Sequence, residues 1–148
     1  MANFVYNRGA YVIAKYDVES VTWGVMLMKN SYSPDRDHDY VDDISADECD
    51  ATNYVRKAIA NPAISVDDAN DRIEIDSDNP TTWTSLGGAV DNTLGGFVIY
   101  RNSGADATSE LVAWIDTVTG TPDFDFVTQG GDFSIEFGAD GWIWGNTT

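Results

Sequence analysis

Cysteine, histidine, proline and lysine are all scarce in this chain of 148 residues, which holds one Cys, one His, four Pro and three Lys. The single cysteine, Cys49, has no partner for an internal disulfide and no second thiol for a CxxC zinc site. Packing or assembly must therefore supply the stability. Set among acids in Asp47-Glu48-Cys49-Asp50, its thiol is expected to resist ionisation, which suits a structural residue rather than a nucleophile. Long apolar runs are missing too, since no stretch of about 18 or more apolar residues is there to cross a bilayer. The opening MANFVYNRGAY lacks the basic segment leading into an apolar one that marks a secretory signal. The expectation is a protein made in a cytoplasm, with no membrane partner.

Positive charge is the other shortage. Eight Lys and Arg stand against 25 Asp and Glu, for a formal net charge of −17. A field of that sign repels phosphate backbones and anionic lipid, which argues against nucleic acid as a partner. The imbalance is uneven along the chain. Residues 1–34 carry two acids and three bases, residues 35–80 fourteen and four, and residues 81–148 nine and one. Twenty of the acids are Asp and five are Glu. Because Asp favours caps and turns where Glu favours helices, this bias predicts a chain rich in turns.

What is present is apolar residue in alternation. Hydrophobic residues make up 43% of the chain, enough for one core, and residues 1–148 read as a single β-rich domain with residues 1–12 as a docking arm. Val21, Trp23, Val25 and Leu27 alternate with Thr22, Gly24 and Met26, a period of two that predicts a strand buried on one face. Ile73 and Ile75 in RIEID repeat it, as do Phe133, Ile135 and Phe137 in DFSIEF. GFVIY (Gly96–Tyr100) and ELVAWID (Glu110–Asp116) are continuously apolar, as central strands covered on both sides would be, and the polar RNSGADATS between them predicts a hairpin. The glycine pairs at 87–88, 95–96 and 130–131 match no phosphate-binding pattern and predict turns or bulges. Helix signals are few. Ser45 and Glu48 have capping-box spacing, and TNYVRKAIANPAISV suits extended chain. The tail GWIWGNTT reads as a last aromatic strand. The fold class that results is all-β, an antiparallel sandwich of jelly-roll or Ig-like type with at most one or two short helices.

The stretch SYSPDRDHDYVDD, Ser31 to Asp43, gathers five aspartates around the one histidine. Asp35, Asp37 and Asp39 have the spacing that opens an EF-hand loop, yet Tyr40 stands where that loop needs Gly and Ala46 where it needs a bidentate Glu. These three remain weak calcium candidates, no other cofactor is implied, and the stretch reads as an exposed acidic loop. His38 between acids has no GxSxG or HExxH partner motif, so no catalytic residue is named and the chain is not read as an enzyme. Trp142 and Trp144 share one face of the last predicted strand, a spacing that suits core packing first, and a sugar platform or protein interface second.

Taken together, MANFVYNRG, SYSPDRDHDYVDDIS, DDANDRIEIDSDNPTTWTSL, GGFVIYRNSGADATSELVAWID and GGDFSIEF resemble a family of small proteins from the structural gene modules of tailed bacteriophages. The resemblance spans nearly the whole chain and rests on a recurring pattern without a catalytic signature. It implies a virion component that decorates or cements the outer capsid surface, with the major capsid protein or other virion proteins as partners, and a homo-oligomer. The alternatives are a neck or tail structural protein, or a carbohydrate-binding module that uses exposed aromatics. Because the first 34 residues are near neutral, Phe4, Tyr6, Arg8 and Tyr11, with Trp142 and Trp144, are the expected interface, and the acidic loops are expected to face solvent.

Overall fold

The computed structural model describes residues 3–116, 124–138 and 141–146, the last four by backbone only. In chain order the elements are β1 (Phe4–Val5), α1 (Asn7–Lys15), β2 (Trp23–Lys29), α2 (Val41–Ile44), β3 (Lys57–Ile59), β4 (Ala63–Asp67) and β5 (Arg72–Asp76). They continue with β6 (Trp83–Leu86), β7 (Thr93–Arg101), β8 (Leu111–Ile115), β9 (Phe126–Val127), β10 (Gly131–Phe133) and β11 (Ile143–Asn146). Every pairing is antiparallel. The main sheet runs β1-β8-β7-β2-β3, and β9 pairs with β7 at Thr93 and Leu94; β10-β6 and β11-β5-β4 form two small sheets.

Strand alternation sends side chains of the main sheet to two separate apolar faces. Trp23, Val25 and Leu27 of β2, with Phe97 and Ile99 of β7, meet Ile75, Trp83, Leu86 and Phe133 from the small sheets and Ile135 and Trp142 from the segments next to them. That contact makes the sandwich. On the other face Met26 and Met28 of β2, Val98 and Tyr100 of β7 and Trp114 of β8 lie under Tyr6, Tyr32, Val41 and Ile44. The main sheet is therefore covered twice, and β2 differs from the one-sided strand its alternation predicts: Trp23 to Met28 are all buried. The reason lies in the residues of the intervening phase, Gly24, Met26 and Met28, none of which needs water. Val21 precedes the strand.

The β7–β8 hairpin forms as its two apolar runs predict, with both strands buried across most of their length. Gly87, Gly88 and Gly130 sit at turns with φ of 92, 98 and 85°. The β2–β7 register shifts opposite Gly95, where a bulge was expected. Of TNYVRKAIANPAISV, Lys57–Ile59 and the residues from Ala63 on are extended as predicted, in β3 and β4, whereas residues 52–53 form a turn and Asn61, at φ 53°, bends the chain between the two strands. In DFSIEF only Asp132 and Phe133 lie in a strand, yet the alternation persists, with Phe133 and Ile135 buried and Ser134 and Glu136 exposed.

Helices depart further from the expectation. α2 begins at Val41, four residues before Ser45, because the Asp43 carboxylate accepts the N–H groups of Asp39 at 3.0 Å and Tyr40 at 2.9 Å and so satisfies the first turn. Residues 45–47 form a 3-10 turn instead of a helix start. α1 has no counterpart in the expected elements, since Gly9, Val12 and Ile13 lower its intrinsic propensity.

One charged network ties the loop after α2 to the β7–β8 hairpin. Arg56 donates to both oxygens of Glu48 (2.7 and 2.6 Å) and both of Asp106 (2.6 and 3.1 Å), with its guanidinium 5.8 Å from the Tyr100 ring centre. Tyr54 donates to the same Glu48 at 2.7 Å. Hydrogen bonding from Arg56 holds the Asp106 carboxyl below the usual aspartate range. A lowered folded value stabilises above the unfolded value of about 3.9 and is lost as pH falls through the lowered one. Because Asp106 is half exposed and water screens its share, Arg56→Met is expected to cost about 1 kcal/mol at neutral pH, the upper end for ion pairs that solvent reaches, and less near pH 2. Urea midpoints of both proteins at the two pH values measure this. An equal cost at both would assign Arg56 to packing on Tyr100 instead of to charge.

Candidate docking surface

α1 is seated by its buried residues and leaves a defined outer face. Gly9 and Val12 point inward. A Cβ on Gly9 would lie 2.7 Å from the Val112 Cα, so only glycine lets the helix come this close to β8. The helix start carries no side-chain cap; instead Tyr6 N–H donates to Val112 O and Asn7 N–H to Arg36 O, both at 3.0 Å. Ahead of it, β1 pairs Phe4 with Trp114 and Val5 with Ala113. Residues 4–12 are thus built into the sheet edge. The docking arm expected over residues 1–12, so far as it is described, is seated on the sheet and not free of it, held by Tyr6 and Val12, both fully buried, and residues 1–2 lie outside the described residues.

The acidic stretch is exposed at Asp35, Asp37, Asp42 and Asp43, as expected, and part of it also folds over the start of α1. Asn7 Nδ2 donates to Asp37 Oδ1 at 2.7 Å, Arg8 donates to Asp39 at 3.3 and 3.2 Å, and Asp35 accepts from the Asp37 N–H at 3.0 Å. Arg36 lies 4.7 Å over the Phe4 ring and donates to Val5 O. Each of the three weak calcium candidates is engaged with a protein donor. Among the described residues no group of three or more His, Cys, Asp or Glu side chains is arranged to hold a metal ion. His38 closes a hydrogen-bonded chain, its Nδ1 3.1 Å from Tyr32 Oη, which in turn is 2.8 Å from Tyr6 Oη. Burial raises both phenols.

The remaining interface candidates divide. Tyr6 is fully buried and Trp142 is 7% exposed, stacked edge-on against Trp23 at 5.3 Å with its Nε1 donating to Ser77 Oγ. Neither is open to a partner, a correction that follows from the apolar second layer each helps to build. Phe4 is half-buried beneath Arg36, and the side chain of Trp144 lies outside the described residues. Arg8 and Tyr11 do reach the surface, and Tyr11 is 46% exposed.

Around these two, the structure assembles side chains that the sequence reading did not join. Arg8 stands 5.1 Å from the Tyr40 ring centre and 5.5 Å from that of Tyr11; Lys15 stands 5.1 Å from both Tyr11 and Tyr16; Arg101 stands 4.6 Å from Tyr16. Tyr40, Arg8, Tyr11, Lys15, Tyr16 and Arg101 therefore alternate as ring and cation in one continuous band. Such contacts are worth about 0.5–1 kcal/mol each at exposed sites, enough to order the side chains before any partner arrives. Arg8 is paired with Asp39 and Arg101 with Glu110. Lys15, exposed in the last helical turn, lies where a cation also complements the helix dipole. Positions 8, 11 and 15 share one helix face, a signal legible only once α1 is known to be a helix. In a chain of net charge −17 this band is an unusual concentration of cations and rings. It can stack against and hydrogen-bond a protein surface, since aromatics and arginine favour interfaces.

Compared with protein-family models, with curated proteins and with solved structures, the chain matches none.

Proposed function

We propose that the chain is a structural protein of a tailed-bacteriophage virion that decorates or cements the outer capsid surface, docking through the exposed face of α1. The observation that carries this reading is the band from Tyr40 to Arg101, an ordered cation–aromatic surface on an otherwise acidic domain. The sequence resemblance to phage structural modules supports the setting. A modest face is sufficient for such a role, because a symmetric lattice presents the same site many times and repeated contacts multiply weak affinity. The acidic remainder of the surface keeps the free protein soluble and discourages contact with packaged nucleic acid.

The test is co-sedimentation with capsids that lack the protein, followed by imaging of the loaded particles. The wild type is expected to bind saturably in numbers set by the capsid lattice, and Tyr11→Ala with Lys15→Glu to abolish binding while the circular dichroism spectrum is unchanged. Binding confined to one vertex would move the protein to the neck or tail. No binding at all, or equal binding by the double variant, would overturn the proposal. The same assay with EDTA decides whether a cation takes part. The sugar-platform alternative loses one of its two tryptophans, since Trp142 is packed in the core.

A further inference from the structure

We propose that the open edge of β4 accepts an extended segment of a partner protein as an added strand, a segment in which apolar residues alternate with lysine or arginine. This surface belongs to a different element from the α1 face, and the inference does not rest on a place in a virion. Among the described residues β4 pairs with β5 on one side only. Ala63, Ile64, Ser65 and Val66 are all exposed, with Ile64 at 42% and Val66 at 71%. Ile64 pairs with Ile75 and Val66 with Ile73, so an apolar row runs from Ile75, which is fully buried, out to the edge. A side chain added beyond Ile64 or Val66 would prolong that row.

The backbone is oriented for it. The Ile64 N–H donates outward to the Glu19 carboxylate at 3.4 Å, a long bond from the turn at Val18–Ser20 that an added strand would displace, so in an antiparallel ladder the polar groups of positions 64 and 66 turn away from β5. Natural edges are usually blunted by lysine, proline or a bulge within the strand. Ala63–Asp67 contains none of these; Pro62 stops one residue short.

Charge selects the occupant. Residues 60–80 hold six acids and one base, Arg72, which is already held by Asp67 at 3.2 Å and Glu74 at 2.7 Å. Asp68, Asp76 and Asp78 are exposed, as is Glu19 beside the edge. A second copy of the chain would bring the same acids to the same place and be repelled. A strand carrying lysine or arginine on its alternate positions meets the opposite field and uses the apolar row as well, the two sources of affinity and selection in strand addition.

The probe is a short fluorescent peptide of alternating valine and lysine, titrated against the full chain by anisotropy. Saturable one-to-one binding is expected, with a glycine–lysine peptide of equal charge weaker by about tenfold or more, the equivalent of about 1.4 kcal/mol. Val66→Pro removes an N–H that the β4–β5 ladder does not use, so it should weaken the valine–lysine peptide by a similar factor with an unchanged thermal midpoint. Val66→Lys provides the same test through charge should the proline variant fold poorly. Equal affinity for both peptides would reduce the effect to general attraction to an acidic protein and overturn the proposal. So would unchanged binding by both variants, absence of binding, or a sedimentation-equilibrium dimer that Val66→Pro dissolves, which would make a second copy the occupant.

Discussion

Replacing Trp23 with alanine is expected to lower the stability of the fold by about 4 kcal/mol, in the range for deleting a large aromatic from a close-packed core. Trp23 is 1% exposed, opens β2 beside the central strand β7 of the main sheet, and stacks edge-on against Trp142, which the Trp142 N–H to Ile75 O bond ties to the β11-β5-β4 sheet. Its Nε1 donates to Val18 O at 3.0 Å, so the indole also fastens the turn that follows α1. Truncation removes a ring contact, a buried hydrogen bond and the filler between two layers at once. Against a typical total of about 5–15 kcal/mol, the variant should approach the unfolding threshold at room temperature. Urea denaturation followed by circular dichroism measures it. A loss below about 1.5 kcal/mol would mean that the layers close over the gap and that Trp23 is not their main tie.

Gly9→Ala is the second large effect and the one that reaches function. The added methyl meets the backbone of β8, which cannot move aside as a flexible side chain would, so α1 must lift or tilt. Overpacking of this kind costs about 1–3 kcal/mol. Alanine's better helix propensity acts in the opposite direction by about 1 kcal/mol, so any net loss of stability identifies the contact. The substitution changes no side chain of the cation–aromatic band but displaces the helix that carries Arg8, Tyr11 and Lys15. Capsid binding should therefore weaken severalfold, whereas Ala10→Gly, on the exposed face of the same helix, should lower stability by about 1 kcal/mol and leave binding intact. Equal binding by Gly9→Ala and wild type would detach docking from the seating of α1.

The strands were legible because their signal is local. The alternation around Trp23, the apolar runs at Gly96–Tyr100 and Glu110–Asp116 and the extended reading of TNYVRKAIANPAISV, correct for β3 and β4, each depend on neighbours in sequence. What escaped depends on distant contacts. Gly9 argues against a helix in isolation and becomes necessary only when Val112 is set against it. Met26 and Met28 give no sign that a second layer, built from Tyr6, Tyr32, Val41 and Ile44, will cover them. The candidate surface was half readable for the same reason. Arg8 and Tyr11 stand out in a near-neutral opening segment, but Tyr40, Tyr16 and Arg101 join them only through α1, the acidic loop and the end of β7. Tyr6 and Trp142 misled because aromatic character alone does not distinguish a ring that meets a partner from one that fills the core.

The placement of β1 carries a consequence for how the chain acquires its shape. Phe4 and Val5 pair with Trp114 and Ala113, Asn3 Oδ1 accepts from the Asp116 N–H, and α1 rests on the same strand. β2 similarly finds its central neighbour only in β7. During synthesis β1 and the first helix must therefore wait for β8, more than a hundred residues on, and β2 has only its three-residue pairing with β3 until β7 emerges, so Tyr6, Val12 and Met26 stay exposed in the interval. Loops of that length close at an entropic cost that grows with the logarithm of their size, and chains dominated by such pairings fold slowly. The many aspartates between β2 and β7 acquire a role in that interval, as charge that keeps incomplete chains apart while the apolar opening segment waits for β8.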